Sequence, residues 1–338
     1  MVPGEAMGCT VVVDGFYGDT GKGKIVSYIA VRDDVDVVAR AGVGPNAGHT
    51  VVSEGREYKL RMVPCGFVNK RARMLIGAGV LVNPDIVFKE IAETGIASRF
   101  GIDPQAAIIE PKHIALDQND ENLKNTVKTT GTGTGPCNAD RVMRVAKLAR
   151  DIPELKKYIT DVPTIANKAI DGGGLLIEGT QGTFISLYYG QYPFVTSKDV
   201  CAAAACSDVG VGPTRVDDVV MVLKSYVTRV GGGVLDGEIS HEEAKRRHWD
   251  EYGTVTGRQR RAAPFNFDLA KRAAMINGAT MIGLTKIDVL YPDVRGMTDY
   301  NDLSSEAKAF VRKIEDEVKV PVSLIGTGPG VDELIDRR

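Results

Sequence analysis

The chain has 338 residues, 43% of them hydrophobic and 25% charged, the composition of an ordinary water-soluble globular protein. Its net charge of −2 provides no overall attraction to nucleic acid or to an anionic membrane, so neither is an expected partner. No signal peptide and no apolar run of about 18 residues is visible. The five cysteines lack zinc-binding spacing, and we expect a cytoplasmic protein that keeps them reduced in its core.

Short β-branched runs alternate with amphipathic helical patterns along most of the chain. This alternation predicts an α/β fold with three layers, in which helices flank a mostly parallel central sheet. No internal repeat and no linker divides the sequence, so residues 1–338 are expected to form a single domain. The predicted strands are 10–13, 35–39, 175–177, 219–227, 279–284 and 322–325, and the clearest helices are 84–94, 266–276 and 303–319.

The first predicted strand leads into GFYGDTGKGK, residues 15–24. Backbone N–H groups, the dipole of the following helix and Lys22 would attract a phosphate group there, although a tight turn without a ligand is the alternative. The loop departs from the pattern G-x-x-x-x-G-K-[ST], because Gly23 stands where a metal-binding hydroxyl is expected and Asp19 lies inside the loop. The fold is therefore expected to be P-loop-NTPase-like with a modified phosphate loop.

Three further loops combine glycines with polar side chains. GPNAGHT (44–50) contains His49, which could donate a proton to a phosphate or an oxyanion, or could simply bond to the backbone. TTGTGTGP (129–136) could hold an anion through hydroxyl and N–H groups. EGTQGT (178–183) places Gln181 at a strand end.

LTKIDVL (284–290) ends a strand with the Thr-Lys-x-Asp pattern that reads guanine. The carboxylate of Asp288 can accept from N1–H and the 2-amino group of guanine, whereas adenine presents neither donor there. The pattern alone is weak, because a strand-end Asp is often a helix cap, but together with the loop at 15–24 it is strong. GTGPG (326–330) also follows a strand, where open α/β sheets bind ligands. TGRQRR (256–261) is either an exposed charge run or a clamp for carboxylate and phosphate.

The motifs GDTGKGK, GPNAGHT, TTGTGTGP, EGTQGT, YPFVTS, TGRQRR, LTKIDVL and GTGP occur in this order from Gly8 to about Pro329. In this combination the chain resembles the adenylosuccinate synthetase family. The resemblance implies a GTP-dependent, Mg²⁺-requiring ligase that joins IMP and L-aspartate through a 6-phosphoryl-IMP intermediate. Adenylosuccinate, GDP and phosphate would be the products, in the first committed step of AMP synthesis from IMP. A GTP-binding switch or sensor without ligase activity is the alternative, but it leaves His49, Gln181 and residues 258–261 without a role.

The resemblance also implies roles for individual residues. Asp19 would take the N1 proton of IMP and ligate Mg²⁺, with the carbonyl of Gly48 as the second protein ligand. His49 would be the general acid that stabilises charge between O6 and the γ-phosphoryl group. A homodimer is implied as well, because Arg144 matches an arginine that reaches the IMP phosphate of the neighbouring subunit.

Carried over position by position, the resemblance assigns five sets of residues. The catalytic set is Asp19, Lys22, His49 and Gln181. The GTP-binding set is Gly18, Asp19, Thr20, Gly21, Lys22, Gly23, Lys24, Gly48, His49, Thr50, Arg260, Lys286, Ile287, Asp288, Gly326, Thr327 and Gly328. The IMP-binding set is Asp19, Lys22, Asn46, Ala47, Gly48, His49, Thr130, Arg144, Gln181, Thr196 and Arg258. The aspartate-binding set is Thr254, Val255, Thr256, Gly257, Arg258, Gln259 and Arg260, and the metal ligands are Asp19 and Gly48.

Some positions depart from the family pattern. Thr20 stands where a glutamate is common, Thr132 where an arginine is frequent, and Gly326 where a serine is expected. Gln259 interrupts the arginine run, and the segment 198–208 differs from the expected form. We expect these changes to affect substrate affinity and the surroundings of the metal rather than the reaction.

Overall fold

The computed structural model describes residues 8–253 and 257–338. Its strands are β1 (Cys9–Asp14), β2 (Val37–Arg40), β3 (His49–Ser53), β4 (Arg56–Leu60), β5 (Arg73–Ile76), β6 (Leu81–Val82), β7 (Phe100–Ile102), β8 (Ala107–Ile108), β9 (Leu175–Glu178), β10 (Asp218–Lys224), β11 (Tyr226–Arg229), β12 (Arg261–Pro264), β13 (Met281–Thr285), β14 (Val322–Gly326) and β15 (Leu334–Asp336). Its helices are α1 (Lys22–Arg32), α2 (Pro84–Thr94), α3 (Pro111–Asn119), α4 (Thr134–Met143), α5 (Val162–Ile170), α6 (Ala202–Val209), α7 (His241–Arg246), α8 (Phe267–Asn277), α9 (Ile287–Leu290) and α10 (Ser305–Val318).

Nine strands form the central sheet, in the order β15-β14-β13-β10-β1-β9-β2-β5-β7. Every neighbouring pair is parallel except β14 and β15, so the predicted mostly parallel sheet is confirmed. The chain leaves β1 and returns two strands away at β2. The order therefore reverses beside β1, and the carboxyl ends of the strands around such a point form a ligand-binding crevice in open α/β sheets.

The core lies on both faces of the sheet, because successive side chains of a strand point in opposite directions. In β1, Val11 and Val13 pack into one buried cluster with α8 and α10, whereas Val12 packs into another with Ile25 and Ile29 of α1. The three layers of the predicted fold follow from this two-sided burial.

Local sequence signals fix the helix ends. Asn83 begins α2 by accepting a hydrogen bond from Ile86 N, and Gly95 ends it in the left-handed conformation. In α8, Asn266 and Gly278 have the same two roles. The longest described helix, α10, has 14 residues and a charged face, so none of the described helices could span a bilayer of about 20 helical residues.

One strand prediction was wrong in extent. The predicted strand 219–227 divides into β10 in the central sheet and β11 in a separate antiparallel pair with β12. The break is at Ser225, whose N–H donates to Thr285 O and whose hydroxyl donates to Lys286 O at 2.6 Å. These bonds redirect the chain at the end of β13, so a run of apolar residues does not continue as one strand.

Candidate active site

The phosphate loop between β1 and α1 is built around one buried carboxylate, that of Asp14. It accepts hydrogen bonds from the backbone N–H groups of Phe16, Gly18 and Thr20, at 2.8 to 3.3 Å, and from the Thr20 hydroxyl at 2.5 Å. Lys22 Nζ adds an ion pair at 2.9 Å. The loop conformation is therefore set by the last residue of β1.

Lys22 links this loop to the end of the neighbouring strand β9. Its ammonium group is buried and donates to Gln181 O at 2.7 Å, and Thr183 Oγ1 donates to Asp14 O at 2.7 Å. The motifs at 15–24 and 178–183, which are far apart in sequence, thus meet at the carboxyl ends of β1 and β9.

Asp19 projects from the loop with a left-handed backbone, at φ 58°. Its side chain is 27% exposed, and its Oδ2 lies 3.0 Å from Nε of Arg260. The carboxylate is therefore accessible from the crevice and already faces Arg260. This arginine belongs to a hairpin whose described residues are 251–253 and 257–260, referred to below as the arginine hairpin.

Helix α1 approaches β3 so closely that Gly23 leaves no room for a side chain. A Cβ at this position would lie 2.8 Å from Thr50 O and 3.2 Å from Cβ of His49. Gly23 occupies the position where a metal-binding serine or threonine is usual. Because it has no side chain, β3 can pack closely enough to bring His49 beside the phosphate loop.

His49 is buried and held from one side. Its Nδ1 contacts Oε1 of Glu178, and Arg40 Nη1 donates to the same carboxylate oxygen and lies 2.9 Å from Nδ1. The pKa of His49 is lowered to about 4, by burial first and by Arg40 next, against the opposing effect of Glu178. Nε2 is buried and has no hydrogen-bond partner among the described residues. The ring is therefore neutral at pH 7 and oriented, with one nitrogen available.

One cluster of side chains among the described residues has the spacing of a metal site. His49, Cys65 and Glu178 bring ligand atoms within 4.8 Å of one another, but Arg40 pairs with that glutamate and opposes a cation there. Burial also raises the pKa of the Cys65 thiol well above its usual value, which disfavours thiolate ligation. The Asp19 carboxylate and a backbone carbonyl such as that of Gly48 are oxygen donors, which Mg²⁺ prefers.

Among the loops that carry polar residues assigned to IMP, two pairs are in direct contact. Asn46 Nδ2 donates to Thr196 Oγ1 at 3.2 Å, while Asn46 Oδ1 is buried without a partner among the described residues. Gln181, at φ 61°, likewise has its Nε2 buried without a partner there. Arg258 donates to Lys128 O and Thr129 O at 2.7 and 2.8 Å, which joins the hairpin to the loop before Thr130.

The segment predicted to read guanine, residues 284–290, lies against the phosphate loop. Thr285 Oγ1 donates to Thr20 O at 2.5 Å, Lys286 is half exposed, and Asp288 lies in the first turn of α9. Ile287 is fully buried in the core.

Two side chains assigned to GTP are occupied by the protein itself. Lys24 donates to the carbonyls of Gly328 and Glu333, and burial lowers its pKa to about 8. The hydroxyl of Thr327, a fully buried residue, donates to Met297 O at 2.8 Å. The hydrogen bonds of these two side chains go to backbone carbonyls in and around the loop at 326–330, and so help to fix its conformation.

Arg144 lies elsewhere, in the left-handed conformation at the end of α4, where it is exposed. Residues Thr254, Val255 and Thr256 of the aspartate-binding set lie outside the described residues. A cavity of about 420 Å³ opens beside Arg258 and Gln259. Its other lining residues are mostly basic or small: Lys124, Asn125, Lys128, Gly231 and Arg261. It is suited to an anionic ligand.

The sequence interpretation missed three acids that organise the site, namely Asp14, Glu178 and Glu251. The first two are the last residues of buried strands directly before a glycine, and that pattern was a usable signal. Nothing in one sequence pairs Glu178 with Arg40 and His49, which lie 138 and 129 positions away.

The sequence model of the adenylosuccinate synthetase family matches residues 11–154 and 145–293. The adenylosuccinate synthetase of Archaeoglobus fulgidus is 53% identical to this chain, over 98% of this chain and 99% of the relative. That of Methanosphaera stadtmanae is 52% identical over 98% of both. The chain belongs to the adenylosuccinate synthetase family.

Membership of the adenylosuccinate synthetase family confirms the predicted ligase class and leaves the switch or sensor alternative without support. Solved structures share the fold. The fully ligated adenylosuccinate synthetase of Plasmodium falciparum superposes with a TM-score of 0.87 at 22% identity, over 97% of this chain and 99% of the other. The succinoaminodeoxyadenylate synthetase of cyanophage S-2L, bound to dGMP and dATP, gives a TM-score of 0.80 at 24% identity, over 98% and 96%. The predicted P-loop-like α/β fold is thus confirmed.

Proposed function

We propose that the crevice at the carboxyl ends of β1, β9 and β13 joins IMP to L-aspartate with GTP, as the activity of this family requires. The observation that carries the assignment is a set of buried polar atoms without partners among the described residues. They belong to two loops predicted to bind IMP, 44–50 and 178–183, and are Asn46 Oδ1, His49 Nε2 and Gln181 Nε2. Buried polar groups are normally hydrogen-bonded, so these three support a polar ligand that completes them.

Asp19 is the proposed base for the N1 proton of IMP. Its side chain is 27% exposed, so the carboxylate is accessible to a ligand, and its backbone is left-handed within the loop. The oxygen donors of Asp19 and Gly48 fit Mg²⁺, which when bound would neutralise charge on the phosphate oxygens. With O6 polarised, removal of the N1 proton makes O6 the nucleophile that attacks the γ-phosphorus, and the bond from the γ-phosphorus to the β–γ bridging oxygen breaks to release GDP.

His49 is the proposed general acid. Its neutral ring cannot donate from Nε2 while Nδ1 carries the proton toward Glu178. An anion beside Nε2 would raise the pKa of His49, because opposite charge favours the imidazolium form. A γ-phosphoryl group supplies that charge, and Glu178 would stabilise the imidazolium from the other side. The residue thus becomes an acid when its substrates are bound.

The remaining roles follow from charge and position. Lys22 lies at the start of α1, where its ammonium group can move from Asp14 to a phosphate oxygen. Asp288 reads the guanine edge, and Lys286 covers the base with its aliphatic stem. Arg258 bridges IMP and aspartate, since its guanidinium already contacts the loop at 128–129. The amino group of aspartate then displaces the phosphate from C6.

The test is a coupled assay of adenylosuccinate and GDP formation from GTP, IMP, aspartate and Mg²⁺. We expect GDP release to require both IMP and aspartate, and Asp19→Ala to reduce turnover by about 10³ or more, because general-base catalysis contributes this much. Asp316→Ala, an exposed aspartate on α10, is the control and should retain full activity. GDP release independent of IMP and aspartate would contradict the assignment, as would a near-normal rate for Asp19→Ala.

We also infer a homodimer with shared sites. Arg144 is exposed next to three apolar residues that are 63 to 69% exposed, Val142, Met143 and Val145, a patch that suits a protein contact. Mixing inactive Asp19→Ala and Arg144→Ala chains should restore about a quarter of the sites, because half of the randomly paired dimers carry one intact site. Absence of any recovery, with mixed dimers present by mass, would contradict shared sites. A single domain over 1–338 and a cytoplasmic location remain predictions.

A further inference from the structure

Glu251 is a largely buried acid at the base of the arginine hairpin. Lys224 Nζ donates to its Oε2 at 2.9 Å, the hydroxyl of Tyr226 donates to its Oε1, and Lys286 Nζ lies 4.0 Å from Oε1. The carboxylate therefore fastens the hairpin to the end of β10 and lies within ionic reach of the guanine-reading lysine.

Across the hairpin, Glu251 faces Arg260 through both main chain and side chain. Arg260 N donates to Glu251 O at 2.8 Å, and Arg260 Nη1 donates to Glu251 Oε2. The neighbouring pairs Gly253 with Arg258 and Tyr252 with Gln259 complete the hairpin base.

The guanidinium of Arg260 is divided between two acids. On one side it hydrogen-bonds to Glu251, and on the other its Nε lies 3.0 Å from Asp19 Oδ2 without forming a hydrogen bond. The contact to Glu251 is thus directional, whereas the contact to Asp19 is only electrostatic. Burial disfavours the charged form of Glu251, but Lys224 and then Arg260 outweigh it and lower the pKa to about 2, so the acid is ionised at pH 7.

Asp19 cannot serve a metal ion and a guanidinium equally well, because each competes for the same carboxylate charge. A cation that binds Asp19 must displace Arg260 or share the oxygens with it. An arginine with a second, hydrogen-bonded acid can move away from Asp19 without leaving its charge unpaired. If Glu251 only anchored the hairpin, the hydrogen bonds from Lys224 and Tyr226 would be enough to pair its carboxylate. The additional hydrogen bond from Arg260 therefore indicates a second role for Glu251.

We propose that Glu251 is a positioning residue: it holds the guanidinium of Arg260 when Asp19 binds Mg²⁺ instead of Arg260. In this way Glu251 sets the affinity of the site for the metal ion. The proposal rests on the assignment of Asp19 as a metal ligand made above. Without the carboxylate charge of Glu251, Arg260 has Asp19 as its remaining acidic partner, and the metal must compete with a full ion pair.

The experiment measures Mn²⁺ affinity by electron paramagnetic resonance, with IMP and a non-hydrolysable GTP analogue present. We expect Glu251→Gln to weaken Mn²⁺ binding about tenfold, a coupling within the range for residues of one ion-pair network. In an Arg260→Ala background the same substitution should have no effect, since no guanidinium remains to compete. An equal loss in both backgrounds would overturn the proposal, and so would an unchanged affinity in Glu251→Gln.

Further variants separate this role from folding and from the proposed function. Glu251→Gln leaves the ammonium of Lys224 buried without its acid, so Lys224→Met/Glu251→Gln, which removes that cation, must show the same tenfold loss. Glu238→Gln removes the acid paired with the adjacent Arg261 at 2.5 Å and should leave Mn²⁺ affinity unchanged; a tenfold loss there would overturn the proposal. If Asp19→Ala binds Mn²⁺ as well as the unmodified protein, the metal assignment of Asp19 is wrong, which is a different failure.

Discussion

Two buried carboxylates end adjacent strands of the sheet, Asp14 on β1 and Glu178 on β9, yet they differ in what they leave unpaired. Asp14 accepts five hydrogen bonds from its own loop and from Lys22, and these fold the phosphate loop. Glu178 accepts from Arg40, His49 and Cys65 N, and the ring that it orients has a buried nitrogen without a partner among the described residues. A saturated network favours a structural role, whereas an incomplete one favours a ligand.

The largest expected effect is on the Asp14 side of this comparison. Asp14→Asn removes the charge that compensates buried Lys22, and breaking a buried ion pair costs about 3–5 kcal/mol. Urea unfolding should show a loss of this size in the free energy of unfolding. Asp161→Asn is the control, because this exposed cap of α5 accepts from Thr164 N and asparagine caps equally well. A loss below about 1 kcal/mol for Asp14→Asn would contradict the structural role.

On the Glu178 side, substitution should affect catalysis rather than stability. His49→Asn keeps a donor for Glu178 but removes Nε2, so we expect kcat to fall by at least about 10² with little change in unfolding. His113→Asn is the matched control. His113 is also buried, but Nδ1 accepts from Glu110 N and Nε2 contacts Asp140, both at 2.9 Å, so its loss should reduce stability and spare kcat. The same profile in both variants would remove the distinction between the two networks.

The sequence predicts the strands and helices better than it predicts these networks. Helix 84–94 agrees with α2 at both ends, and 266–276 and 303–319 differ from α8 and α10 by at most two residues, because caps and apolar spacing are local signals. The failure at Ser225 and the missed acids have one cause. Hydrogen bonds to distant residues, such as Ser225 to Lys286, override or complete the local pattern, and a single sequence does not reveal those partners.

The dependence of stability on pH provides a further test of the His49 environment. The pKa of His49 falls from an ordinary 6.5 to about 4 in the folded protein, through burial and then Arg40. Between these values the unfolded chain binds a proton that the folded protein does not, so stability is present above pH 6.5 and is lost as pH falls toward 4. The loss should be about 3 kcal/mol, because each unit of pKa difference corresponds to about 1.4 kcal/mol. In His49→Asn this contribution is absent, and a stability curve as steep as that of the unmodified protein would show that another group is responsible.

The smallest expected effect concerns Thr20, where the family resemblance led us to expect a glutamate. Its hydroxyl supplies one of the five hydrogen bonds to Asp14, so Thr20→Val, which keeps the side-chain shape, should lower the free energy of unfolding by about 1–2 kcal/mol. Thr20→Ser should restore the bond and the stability. Thr20→Glu would bring a second carboxylate against buried Asp14, and like charges in such a site oppose ionisation, so it should cost more than Thr20→Val. If Thr20→Glu were more stable than Thr20→Val, the side chain at position 20 would have to point away from Asp14. The hydrogen bond from residue 20 would then not be required for the loop conformation.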